Sequence, residues 1–180
     1  IVRYAPNSHF SEHTHTGGEE FIVLDGVFSD EHGDFPAGSY VRNPPTSAHT
    51  PHSTNGATIF VKLWQFAPED RTHVVIDMNK MEYIADATRP GVSVMTLFQD
   101  DRETVRSEKW DAGAAVKTAL PEGGEYLVLS GSLTEGSDTL SKGSWLRLPA
   151  GATLNAKAGA EGVTLWSKTR HLPHAKPPAV

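Results

Sequence analysis

A chain of 180 residues is long enough for one domain or two small ones with a buried core. Its 16 Lys and Arg against 22 Asp and Glu leave a net charge of −6 with no basic stripe, so direct nucleic-acid binding is not expected. The absence of cysteine excludes disulfides and thiolate-ligated metal, and no apolar run reaches the length of a membrane span or opens a signal peptide.

In chain order, the apolar segments are short and β-rich: FIVLDGVF (21–28), SYVRN (39–43), ATIFVKLWQF (57–66), VSVMTLF (92–98), EYLVLSGSL (125–133), SWLRLP (144–149) and GVTLWSK (162–168). Gly, Pro, Asn, Asp and Ser clusters separate them, and no window sustains a helical period. Many short strands with frequent turn signals predict an all-β sandwich or barrel, with at most a modest helical turn near 68–82.

The chain also repeats itself. GGEEFIVLDG (17–26) is echoed with one residue deleted by GGEYLVLSG (123–131), GSYVRNP (38–44) by GSWLRLP (143–149), and GATIFVK (56–62) by GVTLWSK (162–168). YAPNSHF (4–10) has a fainter echo in WDAGAAV (110–116). A period this long is not that of a solenoid. It predicts a duplicated domain, with halves 1–78 and 90–172 joined by DMNKMEYIADATRP.

The chemistry concentrates in SEHTHTGGEEF. Residues two apart in a strand share a face, so His13 and His15 can aim two imidazoles at one point. Glu19, beyond the Gly17-Gly18 turn, can reach that point from a neighbouring strand, and a fourth donor would come from His32, His49 or His52. An isolated His-x-His would read as a solvated loop. Joined to the carboxylate and the spaced turn residues, it reads as a metal site.

These residues resemble the two motifs of the cupin family, G-x5-H-x-H-x3-E-x6-G and G-x5-P-x-G-x2-H-x3-N. The first is met by Asn7, His13, His15, Glu19 and Gly26, the second by Gly38, Pro44, Thr46, His49 and Ser53. The resemblance implies two tandem jelly-roll (double-stranded β-helix) cupin barrels, with His13, His15, Glu19 and His49 as the ligands of one divalent metal. Asn7 replaces a Gly and tolerates the same left-handed turn. Thr46 replaces another and is expected in a turn of negative φ. The second half matches Ala119, Pro121, Glu125 and Leu154 to the four ligand positions, so it is expected to bind no metal.

FPAGSYVRNPPTSAHTPHS followed by IFVKLWQF is similar to the cupin domain of ChrR-type anti-sigma factors. That resemblance implies zinc at His13, His15, Glu19 and His49, and a regulatory role in transcription. The partner it implies is an ECF sigma factor, gripped by a Cys/His-bearing N-terminal domain that this chain, starting at Ile1, does not include.

Other residues carry blander readings. His52 falls on the opposite strand parity from His49, while His9 and His32 read as rim residues and His171 and His174 as part of a frayed Pro-rich tail. Tyr40, Arg42, Phe21 and Val23 are candidates to line the metal pocket, with core packing favoured for the apolar pair. Trp64, Trp110, Trp145 and Trp166 are expected to pack the barrels or the boundary between halves.

Three imidazoles and one carboxylate suit Zn²⁺, Fe²⁺, Mn²⁺ or Ni²⁺, one ion per chain; the ligand types alone do not choose among them, and it is the resemblance that favours zinc. Two functions follow: a non-enzymatic, cytoplasmic sensory module with a small-molecule ligand at the metal, or a non-haem iron or manganese dioxygenase of a dicarbonyl or phenolic compound. A storage-type structural bicupin ranks last. No catalytic side chain beyond the metal ligands is expected, and two barrels in one chain leave both a monomer and a homodimer open.

Overall fold

The computed structural model describes residues 1–175 and is built almost wholly of antiparallel strands. The chain divides into two compact units, one spanning residues 1–81 and the other 82–174. Among the described residues the only helical turns are 3-10 turns at Met78–Lys80 and Leu172–His174. The first is capped by Asp77, whose carboxylate accepts from the Asn79 N–H.

In the first unit the long strand Glu19–Asp30 is central, flanked by Ala57–Leu63 on one side and Ser39–Asn43 on the other. Val2–Tyr4 and Val74–Asp77 extend this sheet at its two edges. Past Val23 the ladder with Ala57–Leu63 slips at a bulge, and the far end of the long strand pairs instead with Gly33–Pro36 and His52–Ser53. Beside it, His13–His15 and Ser47–His49 form a separate two-stranded ladder. Strand alternation sends Phe21 and Val23 inward with Glu19, so they pack with Tyr4, Phe28, Phe35, Val41, Ala57 and Ile59 as the core.

Glu20 lies on the other face, where Tyr40 donates to its carboxylate at 2.6 Å. Arg42, its partner across the ladder, is held by Asp70 at 2.6 Å and stacks on the Phe66 ring. Tyr40 and Arg42 therefore do not line a pocket around Glu19, contrary to the sequence expectation, because their strand parity matches Glu20.

The second unit repeats this plan with Gly124–Glu135 central, paired to Ala152–Thr169 and Trp145–Leu148. Its bulge falls between Val128 and Ser130, matching the one between Val23 and Asp25. Backbone angles repeat too. Gly26 (φ 72°) and Gly131 (φ 71°) each face a glycine carbonyl, of Gly56 and Gly162, that an added Cβ would strike. Thr46 (φ 76°) corresponds to Gly151 (φ 82°). Thr46 thus takes the left-handed turn rather than the negative φ expected for it. The backbone there is held by the Thr46 N–H donating to the His15 carbonyl, as Gly151 donates to Leu120.

Two further expectations change. His171 is not frayed: it is buried, with Nε2 3.4 Å from Glu125. Trp110 and Trp166 are buried, whereas Trp64 and Trp145 stay about half exposed, at 46% and 49%. Trp64 still covers the backbone at Gly17, where a side chain would meet its ring.

Candidate metal centre

The short ladder that pairs His13 with His49 and His15 with Ser47 sets three imidazoles at the mouth of the first barrel. Their ring centroids lie 4.8–5.0 Å apart, and a donor nitrogen from each falls within 4.8 Å of the others. His15 Nε2 stands 2.9 Å from His49 Nε2. Glu19 Oε2 is 3.4 Å from His15 Nε2 and 3.7 Å from His49 Nε2. His15, Glu19 and His49 are buried and His13 is exposed, so the cluster opens to solvent on one side.

Outer contacts orient these donors. His13 Nδ1–H donates to the Ser11 carbonyl at 2.9 Å, and His49 Nδ1–H donates to Asp30 Oδ2 at 3.0 Å, which leaves both Nε2 atoms as lone-pair donors. Asn43 Nδ2 donates to Glu19 Oε2 at 3.1 Å. Asp30 and Asn43 carry no motif signal, and they were missed for that reason. Asp30 ends the long central strand, and only the folded sheet brings it behind His49.

The charge balance follows the packing. Burial pushes His15 down to about 4, with the neighbouring His49 and His13 adding to the effect. Burial also opposes charge on His49, but its hydrogen bond to Asp30 and the charges of Glu19, Asp30 and Glu31 outweigh that and raise it. Glu19 is raised, first by burial, although His49, Asn43 and His13 offset part of the effect. Asp30 is lowered because His49 and the His32 N–H stabilise its carboxylate more than burial destabilises it.

The donor set fits a divalent ion. Nitrogen ligands about 2.0–2.1 Å from a metal lie roughly 2.9–3.4 Å apart for bond angles between a right angle and tetrahedral. The 2.9 Å spacing of His15 and His49 falls in that range, Glu19 needs to move only a few tenths of an ångström, and the exposed His13, whose donor lies within 4.8 Å of the others, would swing in to close the set. Three neutral imidazoles and a carboxylate would carry a net charge of about +1 with the ion bound.

Metal affinity should fall as pH is lowered from about 8 to about 5, since Asp30 and Glu19 stabilise the imidazolium form of His49, whose second proton sits on Nε2 and competes directly with the ion. The loss should be about tenfold per pH unit for each proton displaced, read by competition with a chromogenic chelator. Affinity that stays flat across that range would rule His49 out as a ligand.

The remaining histidines stand apart. His52 pairs in register with His9 and Ser29 and lies outside the imidazole cluster. His32 and His73 instead line, with Asn43 and His49, a cavity of about 380 Å³ beside the site. His73 gave no sequence signal because it follows the last strand of the motif region.

The second unit contains the same scaffold without the donors. Leu120 and Gly124 are the counterparts of His15 and Glu19, since the Gly18 N–H donates to His15 as the Gly123 N–H donates to Leu120. The register then places Thr118 opposite Leu154 where His13 faces His49. Glu125 is accordingly the counterpart of Glu20, each facing an Arg and a Lys across the sheet, and not of Glu19. The expected match was out by one residue there because the deletion lies before Thr118 rather than at the Glu19-Glu20 pair. The conclusion that no imidazole remains is unchanged, and Leu120 and Leu154 join the apolar core.

Two double-stranded β-barrels, one with three imidazoles and a carboxylate converging at its mouth, define a bicupin with a metal-type donor set. The family comparison agrees twice over: the model of the ChrR cupin-like domain matches residues 1–67 and again 71–173. The chain belongs to the ChrR cupin-like family. No curated protein matches it in sequence.

Among solved structures, a candidate dioxygenase from Nostoc punctiforme PCC 73102 is similar, with a TM-score of 0.78 and 15% identity over 99% of this chain and 72% of that one. YlbA from E. coli has a TM-score of 0.72 and 16% identity over 99% and 77% of the two chains. Salicylate 1,2-dioxygenase from Pseudoaminobacter salicylatoxidans has a TM-score of 0.65 and 11% identity over 93% and 67%. At these identities the likeness is one of fold.

Proposed function

We propose that this chain is the metal-binding regulatory module of a ChrR-like anti-sigma factor, holding one zinc ion through His13, His15, Glu19 and His49. The observation that carries the metal reading is the convergence of three imidazole nitrogens within 4.8 Å, with Glu19 buried against two of them. Family membership supports the regulatory role. In this reading the protein is cytoplasmic, and among the described residues no helix is long and apolar enough to cross a membrane. The ECF sigma factor is held by a domain outside these residues, and the metal module biases that grip when a small ligand or oxidant reaches the site.

A second reading has one observation in its favour. The cavity of about 380 Å³ beside His49 could admit a small dicarbonyl or phenolic substrate, and a solved neighbour is a salicylate dioxygenase. Bound iron or manganese would supply Lewis acidity there. His13, His15, Glu19 and His49 would hold it, and Asn43 would keep the Glu19 carboxylate in place.

Oxygen uptake by iron-loaded and zinc-loaded protein with a panel of diketones and phenols separates the readings. No turnover above buffer is expected, and robust uptake with iron would overturn the regulatory reading. In parallel, the full gene product should retain an ECF sigma factor and release it when the metal is stripped or oxidant is added. Retention that ignores the metal would also overturn it.

A further inference from the structure

The second unit holds a cavity of about 570 Å³ that the metal reading does not use. Thr118 and Leu120, the counterparts of His13 and His15, form part of its wall, so it borders the place of the lost metal site. Its lining combines apolar Leu120, Pro121 and the Tyr126 ring with the cations Arg89, Arg106 and Lys117.

The acids at this cavity are already engaged. Asp86 and Glu108 both pair with Arg89 at 2.8 Å, and Glu108 also accepts from Trp110 at 2.9 Å and Ser167 at 2.8 Å. Glu122 lies 3.8 Å from Arg170. Among the described residues no carboxylate pairs with Arg106 or Lys117. The Nε of Arg106 and the Nη2 of Arg89 are buried with no hydrogen-bond partner. Buried guanidinium nitrogens are costly to leave unmatched, and planar carboxylates suit their fork.

We propose that the second barrel binds a small organic carboxylate, its anionic group on Arg106 and Arg89 and its body along Leu120, Pro121 and Tyr126. The size of the cavity, within the range of small-molecule sites of about 300–1,000 Å³, and its apolar lining residues favour an organic acid over a bare inorganic oxyanion. Duplication would then have left two sites: one reads its ligand through a metal, the other through arginine.

Calorimetric titration of the full chain with benzoate, benzamide and inorganic phosphate tests this. One benzoate should bind per chain, with benzamide and phosphate each at least about tenfold weaker. Arg106→Met should weaken benzoate by at least about tenfold, while His49→Ala leaves it unchanged. Lys117→Met, at an exposed position, should weaken it by about two- to fivefold and serves if the Arg106 variant melts early. The proposal is overturned by the absence of saturable benzoate binding, by benzamide or phosphate binding as tightly, or by benzoate affinity unaltered in a folded Arg106→Met or Lys117→Met. Loss of benzoate binding in His49→Ala would also overturn it, because the acid would then sit on the metal.

Discussion

Replacing His49 by Ala should drop bound metal from about one ion per chain to below about 0.1, measured by elemental analysis after gel filtration. His49 is the most deeply buried of the three imidazoles at 2% exposure, and its Nε2 is 2.9 Å from His15 Nε2. Its Nδ1 is also hydrogen-bonded to the Asp30 carboxylate at 3.0 Å. Removing it takes away the donor that Asp30 backs and leaves only His15, the exposed His13 and Glu19, whose carboxylate burial already biases toward its protonated form. Asp30→Asn should act more gently, weakening affinity by about 10- to 100-fold while full occupancy returns at saturating metal. A His49→Ala protein that keeps its metal, or a wild-type chain that carries two ions, would refute the single-site assignment.

Phe28→Ala should destabilise the first unit by about 3–5 kcal/mol, the usual cost of emptying a large aromatic site in a core that cannot collapse. Phe28 is 1% exposed, and its ring centroid lies 4.8 Å from Phe21, 5.4 Å from Tyr4 and 6.2 Å from Phe35. The cavity would therefore be walled by other rings rather than by flexible chains. For a unit of this size the loss corresponds to a fall in Tm of more than about 10 °C. Val75→Ala on the edge strand, 51% exposed, should change stability by less than about 0.5 kcal/mol. Urea unfolding of both variants checks the pair; a Phe28→Ala cost under about 1 kcal/mol would mean the core is not packed as described. Because the Phe28 ring also lies 5.9 Å from His49, the same substitution should weaken metal binding, although less than Asp30→Asn.

Much of this was legible because it is local in the chain. Strand-forming runs bounded by turn residues announce themselves, and the repeated Gly-Ser-aromatic and Gly-x-Thr segments mark the duplication. His13 and His15 share a face by alternation alone. Contacts across strands were less legible, since they depend on register. A shift of one residue moves a side chain to the other face of the sheet. That is how Glu125 was matched to Glu19 when it faces Arg147 and Lys168 as Glu20 faces Arg42 and Lys62. Tyr40 and Arg42 were misplaced by the same parity, and His171 because a residue beside a Pro-rich tail gives no sign that it folds back to Glu125.

The sequence by itself determined the all-β duplicated fold, the cupin resemblance and the four candidate donors, because strand period, turn chemistry and motif spacing act over a few residues. Tertiary structure alone decided which side chains stand behind those donors. Asp30 reaches His49 from the far end of the long strand, and Asn43 reaches Glu19 from the adjacent one. It also set a cavity edged by Arg89 and Arg106 beside the place of the lost second site. Both outcomes follow from strand pairing between residues distant in sequence, which no local pattern encodes.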